Sequence, residues 1–351
     1  MLESFHCFGQ ENAENVPLRK VRQQRDKILC MESINNESPG IDMRQAVSDP
    51  LEKPLILRSI ADRPVAEMTS LTQSLLMAEL AMIAYNDPDE TRLAAQSLGF
   101  TDVAFYERDG SQAYRFRNQF DCVIACRGTE PTEWNDIKAD ARASRVLSET
   151  VGRVHRGFKR EVDDLWPMLE TALMCNRQPL WFCGHSLGGA MATICAGRCL
   201  LSHIDSNPER LFTFGSPRVG NLRYIQYTKL DHLRYVNNND IVTRVPPAWF
   251  GYRHCGQEIY LDRKGRLRPG GFAGKARDRW IGFWKGLRQG KIDHFADHSI
   301  HQYINAIEHA RVKETQQTSK SLHSQMREIH GGHSDFPAPV GPRSNRATIY
   351  K

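Results

Sequence analysis

The sequence predicts an α/β protein with a mainly parallel central sheet flanked by helices. Along the middle of the chain, short segments rich in aromatic and β-branched residues alternate with segments of helical periodicity. Apolar residues make up 40 % and charged residues 25 % of the 351 residues, which is ordinary for a protein with a sizeable core. The two ends lack this periodicity, so flexible N- and C-terminal tails are expected.

The elements of the domain follow one another in a regular order. A first helix is predicted in PVAEMTSLTQSLLMAELAMIAYND, where Leu76, Leu80 and Ile83 recur at helical spacing and Pro88 follows the helix end. Three strands come next, in DVAFYER, AYRFRN and DCVIACRG. Helices and strands then alternate through GFKREVDDLWPMLETALM, PLWFCG, the run after Ser186, RLFTFG, LRYIQYTKL and LRYVN. This alternation favours right-handed crossovers and parallel pairing.

Composition predicts the domain boundaries. Residues 1–62 are expected to be a mobile leader, residues 63–311 the folded domain and residues 312–351 a disordered polar tail. No apolar run approaches the roughly 20 residues that cross a bilayer, and Met1 is not followed by the pattern of a signal peptide. A cytoplasmic location is therefore expected, with peripheral membrane contact as an open alternative.

The cysteines indicate packing in a reducing compartment. Of nine cysteines, Cys122, Cys126, Cys183, Cys195 and Cys199 fall within predicted core elements, so they are interpreted as small buried side chains and not as a disulfide framework. The i, i+4 spacing of the last two also permits a metal site, but no CxxC partner or His pair accompanies them. No metal and no organic cofactor is expected.

A serine between two glycines, in FCGHSLGGAM, is the main functional signal. The stretch from Gly184 to Gly188 has the pattern Gly-X-Ser-X-Gly between a predicted strand and a predicted helix, which is the context that a nucleophile elbow requires. The glycines let the strand and the helix close around a strained turn, and the helix N-terminus directs N–H groups at the reacting centre. We therefore predict that Ser186 is a nucleophile.

A nucleophilic serine needs an orienting acid, and in folds with a nucleophile elbow the acid follows the serine in the chain. Asp240, in LRYVNNNDIVTRVPP, comes just after a predicted strand end, at the sheet edge where ligand chemistry collects in open α/β folds. Asp262 and Asp231 are the rival candidates, and the alternative reading of Asp240 is a simple turn cap.

The base is sought in IDHFADHSIHQYINAI, near the end of the predicted domain. Isoleucines in the second half of this segment define a helix face, so His298 falls in the loop before the helix and His301 within it. A loop position suits a histidine that must reach the serine from a late segment. His298 is the preferred base, with His294 as the better of its two rivals.

These residues together resemble the class 3 lipase family of α/β-hydrolases over about residues 64–311. The resemblance rests on AELAMIAYND, CVIACRGTE, VHRGF, FCGHSLGGAMA, FTFGSPRVGN, NNNDIVTRVPP and DHSIHQYI. It implies an α/β-hydrolase fold, a triad of Ser186, Asp240 and His298, and an oxyanion hole formed by the backbone N–H groups of Thr129 and Leu187. Two preset N–H donors stabilise the charge that develops on an ester oxygen under attack.

One segment departs from the family pattern. The family usually has a lid with an aromatic residue beside a spaced aspartate, whereas EPTEWNDIKADARASRV is strongly polar and its single aromatic, Trp134, does not align with that pattern. Weak or absent interfacial activation is therefore expected. His155, in VHRGF, is interpreted as a structural polar residue near the site.

A basic insertion separates the predicted acid from the predicted base. Residues 263–291 contain ten Lys or Arg residues and one Asp, a net charge of +9 against +6 for the whole chain. Within them, Trp280, Phe283, Trp284 and Leu287 form an aromatic stripe at helical spacing. The segment suits an anionic membrane or lipid droplet, although a stripe packed on the domain is the alternative. No nucleic-acid-binding module accompanies it, so nucleic acid is not an expected partner.

The sequence therefore predicts a serine hydrolase of lipid esters, of the triacylglycerol or acylglycerol lipase type, that acts through an acyl-enzyme. A phospholipase A1 or an esterase for short or aromatic acyl groups is the alternative among enzymes. An inactive hydrolase fold that serves as a membrane-binding scaffold is the alternative from another class.

Overall fold

The structure is a computed structural model that describes residues 56–128, 144–149, 151–202, 204–238, 240–262, 264–269 and 298–331, with side chains as far as residue 321. The described residues belong to one compact unit that begins at Ile56. Within these described ranges, no helix combines the length and the apolar content that a bilayer crossing needs.

An eight-stranded sheet organises the described residues, in the order β1-β2-β3-β6-β7-β9-β11-β12. Its five central strands, from β3 to β11, are parallel, and antiparallel pairs close both edges. A small second sheet has the order β10-β8-β5-β4. The twelve strands are β1 (Asp102–Arg108), β2 (Ser111–Arg117), β3 (Cys122–Cys126), β4 (Arg145–Leu147), β5 (Arg153–His155), β6 (Leu180–His185), β7 (Pro208–Phe214), β8 (Gly220–Asn221), β9 (His232–Asn237), β10 (Tyr252–Arg253), β11 (Gln257–Leu261) and β12 (Leu267–Pro269).

Six α-helices accompany these strands in the described ranges. They are α1 (Ser70–Ile83), α2 (Pro88–Ser97), α3 (Arg156–Met174), α4 (Leu187–Leu201), α5 (Leu222–Thr228) and α6 (Ile300–Gly331). Pro88 opens α2 and does not merely follow α1, because Asp87 caps the helix by accepting hydrogen bonds from the N–H groups of Asp89 and Glu90. The α/β class with a mainly parallel sheet, predicted from the alternation of elements, is confirmed.

The central strands are buried on both faces, and their side chains alternate between two cores. In β3, Val123 and Ala125 join a core that includes residues of α1 and the start of α6, whereas Ile124 and the two flanking cysteines join a core that includes residues of α3 and α4. This alternation follows from the two-residue period of a strand. The helices therefore cover both faces of the sheet, and the carboxyl ends of the parallel strands define one functional edge.

Helix α4, whose sequence LGGAMATICAGRCLL is rich in small residues, contacts the sheet at Gly188, where a Cβ would collide with the carbonyl oxygen of Cys126 in β3. Nearly all of its residues are buried, among them Cys195 and Cys199, which lie in the same core as the side chains of α3. These two cysteines and the other cysteines in the described ranges are free thiols. Burial raises the pKa of the Cys122 thiol to about 12, as expected for an inert packing residue.

The folded unit begins before the predicted boundary at residue 63. Glu79 of α1 is buried, and its carboxylate accepts hydrogen bonds from the backbone N–H groups of Arg58 and Ser59, at 2.7 and 3.1 Å. The N–H of Ala61 donates to the carbonyl of Leu98. Residues 56–62 are thus fixed by polar contacts that an apolar periodicity does not reveal. The remaining leader, residues 1–55, lies outside the described residues.

Helix α6 continues past residue 311, where the polar tail was predicted to begin. It runs from Ile300 to Gly331, and its described side chains from 313 to 321 are all exposed. Glutamine, glutamate and lysine, which are good helix formers, extend the helix without an apolar face to bury. Residues 312–331 of the predicted tail thus continue this helix in the structure, and residues 332–351 lie outside the described part.

The basic insertion begins as part of the large sheet. Leu267 to Pro269 form β12, which pairs antiparallel with β11. The rest of the insertion, with the predicted aromatic stripe at residues 280–287, lies outside the described residues.

Candidate active site

Ser186 sits at the turn between β6 and α4, as the glycine-flanked motif predicts. Its backbone has φ 59° and ψ −130°, a conformation that costs a non-glycine residue roughly 1–3 kcal/mol. Two hydrogen bonds of 3.0 Å hold the turn, from the Ser186 N–H to the carbonyl of Phe214 and from the Gly189 N–H to the Ser186 carbonyl. The side chain is buried, and its hydroxyl has no hydrogen-bond partner among the described residues.

The two glycines of the motif are required by close backbone contacts. A Cβ at Gly184 would collide with the carbonyl of Gly188, and a Cβ at Gly188 would collide with the carbonyl of Cys126 at the end of β3. The turn is therefore wedged between its own helix and the neighbouring strand. The close contacts on both sides of the turn hold the Ser186 backbone in its strained conformation.

Asp240 and His298 form a buried pair at the same edge of the sheet. Asp240 follows the end of β9, two strands from β6, and His298 precedes α6. The His298 Nδ1 lies 2.9 Å from the Asp240 Oδ2, and the two residues are only 3 % and 0 % exposed. A carboxylate only accepts, so Nδ1 carries the proton and Nε2 is left as the basic nitrogen.

Gly215, after β7, allows this pair to approach the sheet. Its φ is +63°, and a Cβ there would lie 2.8 Å from the Asp240 Oδ2 and 2.9 Å from the His298 Cε1. Since real Cβ atoms essentially never come so close, glycine is needed both for the backbone conformation and for the space.

The Asp240 carboxylate is fixed by two further donors. Its Oδ1 accepts the backbone N–H of Val242 at 2.9 Å, and its Oδ2 also accepts the hydroxyl of Tyr303 at 2.7 Å. The same Tyr303 hydroxyl accepts the N–H of Asn237 at 3.0 Å, and the ring is fully buried. The carboxylate is thus held in one orientation by donors from the loop after β9 and from α6.

His185, the residue before the serine, connects the turn that carries Ser186 to His298. Its Nε2 donates to the backbone carbonyl of His298 at 2.7 Å, so its Nδ1 is the acceptor for the hydroxyl of Tyr85, 2.9 Å away. Burial lowers the pKa of His185 well below its ordinary value, and the neighbouring His298 acts in the same direction. His185 therefore stays neutral, 4.6 Å from the His298 ring between ring centroids.

The alternative candidates for the acid and the base make their contacts elsewhere in the structure. Asp262 forms ion pairs with Arg266 and Arg268, and Asp231 pairs with Arg210. His301 is exposed on α6. Their contacts do not connect them to the serine turn. The remaining rival, His294, lies outside the described residues.

One of the two predicted oxyanion donors is described. Leu187 is the first residue of α4, so its N–H is among those that have no partner within the helix. Thr129 lies outside the described residues, but the strand that leads to it reaches the serine: a Cβ on Gly128 would lie 3.3 Å from the Cβ of Ser186. The predicted lid around Trp134 also lies outside.

His155 has a structural position, in agreement with its interpretation from the sequence. It is buried and caps α3, where its Nδ1 accepts the N–H of Phe158. Tyr85, His185 and Tyr303, in contrast, were missed as site residues. The sequence pattern indicates only a core residue at Tyr303, because it shares a helix face with Ile300 and Ile307.

Comparisons with known proteins give one family. The family model described as lipase (class 3) matches residues 123–250, which include Ser186 and Asp240. Toxin TseL of Vibrio cholerae is 30 % identical over 205 residues, which cover 46 % of this chain and 31 % of the relative. The secreted mono- and diacylglycerol lipase 1 of Fusarium solani is 35 % identical over 117 residues, 31 % of this chain and 34 % of the relative. The matches therefore span about a third of the length of these two relatives.

A search of solved structures gives lipases as well. The crystal structure of a lipase from Rhizopus microsporus var. chinensis is 23 % identical, with a TM-score of 0.45, and the match covers 60 % of this chain and 80 % of that one.

Proposed function

We propose that this chain, whose residues 123–250 match the class 3 lipase family model, hydrolyses carboxylic esters of lipids by a serine nucleophile. The observation that carries the proposal is the buried Asp240–His298 pair, 2.9 Å from Oδ2 to Nδ1, at the same sheet edge as a serine in a strained strand-to-helix turn. Such a pair turns an imidazole into a base of defined tautomer, and a serine beside it becomes a nucleophile.

The proposed reaction has two steps. The Ser186 Oγ attacks the ester carbonyl while the His298 Nε2 accepts its proton, and the same imidazolium then protonates the leaving alcohol. Asp240 holds the imidazole and stabilises its positive charge. A water molecule, deprotonated by His298, then attacks the acyl-enzyme, and the imidazolium returns this proton to the Ser186 Oγ as the fatty acid is released. All proton transfers in this proposal pass through the Nε2 of His298, because its Nδ1 is bound to the Asp240 carboxylate.

The oxyanion in this proposal is bound by the N–H groups of Leu187 and Thr129. The position of Leu187 at the N-terminus of α4 supports its role, since such N–H groups are aimed at a developing negative charge. For Thr129, the support is the close approach of Gly128 to the serine turn.

Acylglycerols are the proposed substrate class. The support is the name of the Fusarium relative, a mono- and diacylglycerol lipase. Contact of residues 263–291 with an anionic membrane or lipid droplet remains a proposal that rests on their net charge of +9. The cytoplasmic location also remains a prediction.

The test is the release of fatty acid by the purified full chain from diacylglycerol, triacylglycerol, phospholipid and short p-nitrophenyl esters. We expect the acylglycerols to be hydrolysed fastest, and Ser186→Ala to lower every rate by about 10⁴ or more. Release from phospholipid alone would indicate a phospholipase A1, and release from short esters alone a simple esterase. A folded chain that cleaves none of them would favour the inactive scaffold.

A further inference from the structure

Trp249 and Phe250 stand out on the surface of the described residues. They lie in a single 3-10 turn, Ala248–Phe250, nine residues after Asp240, and their side chains are 83 % and 46 % exposed. The ring centroids are 6.1 Å apart. A tryptophan usually buries most of its surface in a folded domain, so packing within the unit does not account for an aromatic pair at this position.

The turn that carries this aromatic pair is fixed by arginines. The Arg218 Nη1 donates to the carbonyl of Pro246 at 3.0 Å, and the Arg253 Nη1 donates to the carbonyl of Ala248 at 2.8 Å. Arg145 reaches the carbonyl of Gly251 at 3.5 Å and lies over the ring of Tyr252. The exposed rings therefore sit on a turn of defined conformation.

The surroundings of the pair are positively charged. The sequence from Ile241 to Gln257 contains two arginines and no acidic residue. Arg145 and Arg253 form no ion pair within the described ranges, and Arg253 is exposed. Exposed aromatic rings flanked by unneutralised cations suit the boundary of a lipid layer with anionic headgroups, where rings enter the acyl region and cations stay at the headgroups.

We infer that Trp249 and Phe250 insert into an anionic lipid surface, with Arg145 and Arg253 against its headgroups. The two exposed side chains offer roughly 300 Å² of apolar surface, far below the roughly 800 Å² per partner of a stable protein complex. A lipid surface needs no such area, because a few inserted rings and nearby cations are sufficient for peripheral binding. The inference rests on the proposed function in that a lipid ester substrate lies in such a surface.

Vesicle co-sedimentation tests this inference without turnover. The full chain carrying Ser186→Ala is mixed with phosphatidylcholine vesicles that contain or lack phosphatidylserine. We expect sedimentation with the phosphatidylserine vesicles that weakens with salt. Adding Trp249→Ala and Phe250→Ala should weaken binding about tenfold or more, whereas Leu93→Ala, which shortens a 67 % exposed leucine on α2, should leave it unchanged.

The arginines are tested separately. Arg253→Gln should weaken binding to phosphatidylserine vesicles about fivefold, and Arg253→Lys, which keeps the charge, should restore most of it. Equal binding of Arg253→Gln and the parent would contradict the contact with headgroups.

Several results would overturn the inference. These are no sedimentation of the parent, equal sedimentation of the double variant, or loss of binding only when the basic residues between 270 and 291 are changed to Gln. A dimer that the double variant abolishes, without vesicle binding, would assign the pair to a second copy of the chain. In the chain with Ser186 intact, the double variant should keep its rate on short soluble esters. Vesicle binding as expected, in a chain that hydrolyses no ester, would leave the inference standing and remove the proposed function.

Discussion

The substitution Asp240→Asn tests the geometry of the candidate triad most sharply. The N–H of Val242 donates to one oxygen of this carboxylate, and His298 and the Tyr303 hydroxyl both donate to the other. In the variant, the amide oxygen remains with Val242, so the amide N–H₂ faces His298. The histidine must then accept at Nδ1, and its proton moves to Nε2, the nitrogen that should accept the serine proton.

The magnitude follows from the loss of that tautomer. A wrong tautomer lowers kcat by about 10⁴ in serine hydrolases with an Asp-His pair, which corresponds to about 5.4 kcal/mol of transition-state stabilisation. Asp240 is fully buried and cannot contact substrate, so KM should change little.

The assay is the steady-state hydrolysis of a short soluble ester, with circular dichroism to verify that the variant is folded. Asp262→Asn is the matched control, because Asp262 is also buried but pairs with Arg266 and Arg268. Its kcat should stay within about twofold of the parent value, as expected for a residue without contact to the reacting atoms. A folded Asp240→Asn variant that retains a tenth or more of the parental kcat would refute the assigned role of this carboxylate.

Two other substitutions probe groups around the site, and a third probes His232, a buried histidine at the start of β9. Tyr303→Phe removes the second donor to Asp240 and should lower kcat about tenfold with KM unchanged, the loss expected for one hydrogen bond to a charged group; an unchanged kcat contradicts a positioning role. Tyr85→Phe leaves His185 without its donor and should lower the free energy of unfolding in urea by about 1 kcal/mol, and no change argues against this contact. The pKa of His232 is lowered to about 3, by burial first and by a nearby arginine second. Because the unfolded imidazole titrates near pH 6.5, the stability from this neutral group is present above about 6.5 and is lost as the pH falls toward 3. His232→Gln should therefore remove about 2 kcal/mol of the decrease in unfolding free energy between pH 7 and pH 5, and an identical decrease in both proteins would contradict the shift.

The nucleophile turn was predictable because its requirements are local. Gly184 and Gly188 are needed by collisions within one strand, one turn and one helix, so the five-residue motif carries the whole constraint. The position of Asp240 was also predictable from the sequence, since a strand end followed by an Asn-rich turn brings a carboxylate to the functional edge of a parallel sheet. The alternation of elements predicted the parallel sheet for a similar reason.

The contacts around the pair were not predictable from local patterns. Tyr303 contacts a carboxylate 63 positions earlier in the chain, and Tyr85 contacts a histidine 100 positions later. On its own helix, each reads as an ordinary core residue, because only tertiary packing brings its hydroxyl to a polar partner. The two-residue strands β8 and β10 were missed for another reason, since two residues are too few to display a period.

At the end of α6, the structure contains more regular secondary structure than the sequence pattern predicts. Residues after 311 have no apolar stripe, a pattern that predicts a disordered polar tail. Intrinsic helix propensity and continuity with the buried first turns of α6 are sufficient to extend the helix to Gly331.

The most direct test of Ser186 as the nucleophile is to map the covalent adduct of a fluorophosphonate probe by mass spectrometry. We predict a single adduct on the peptide that contains Ser186, because only a serine activated by His298 attacks the probe at a useful rate. Ser186→Ala should abolish the adduct. An adduct on a different serine, or no adduct on the folded native chain, would contradict the assignment of Ser186 as the nucleophile.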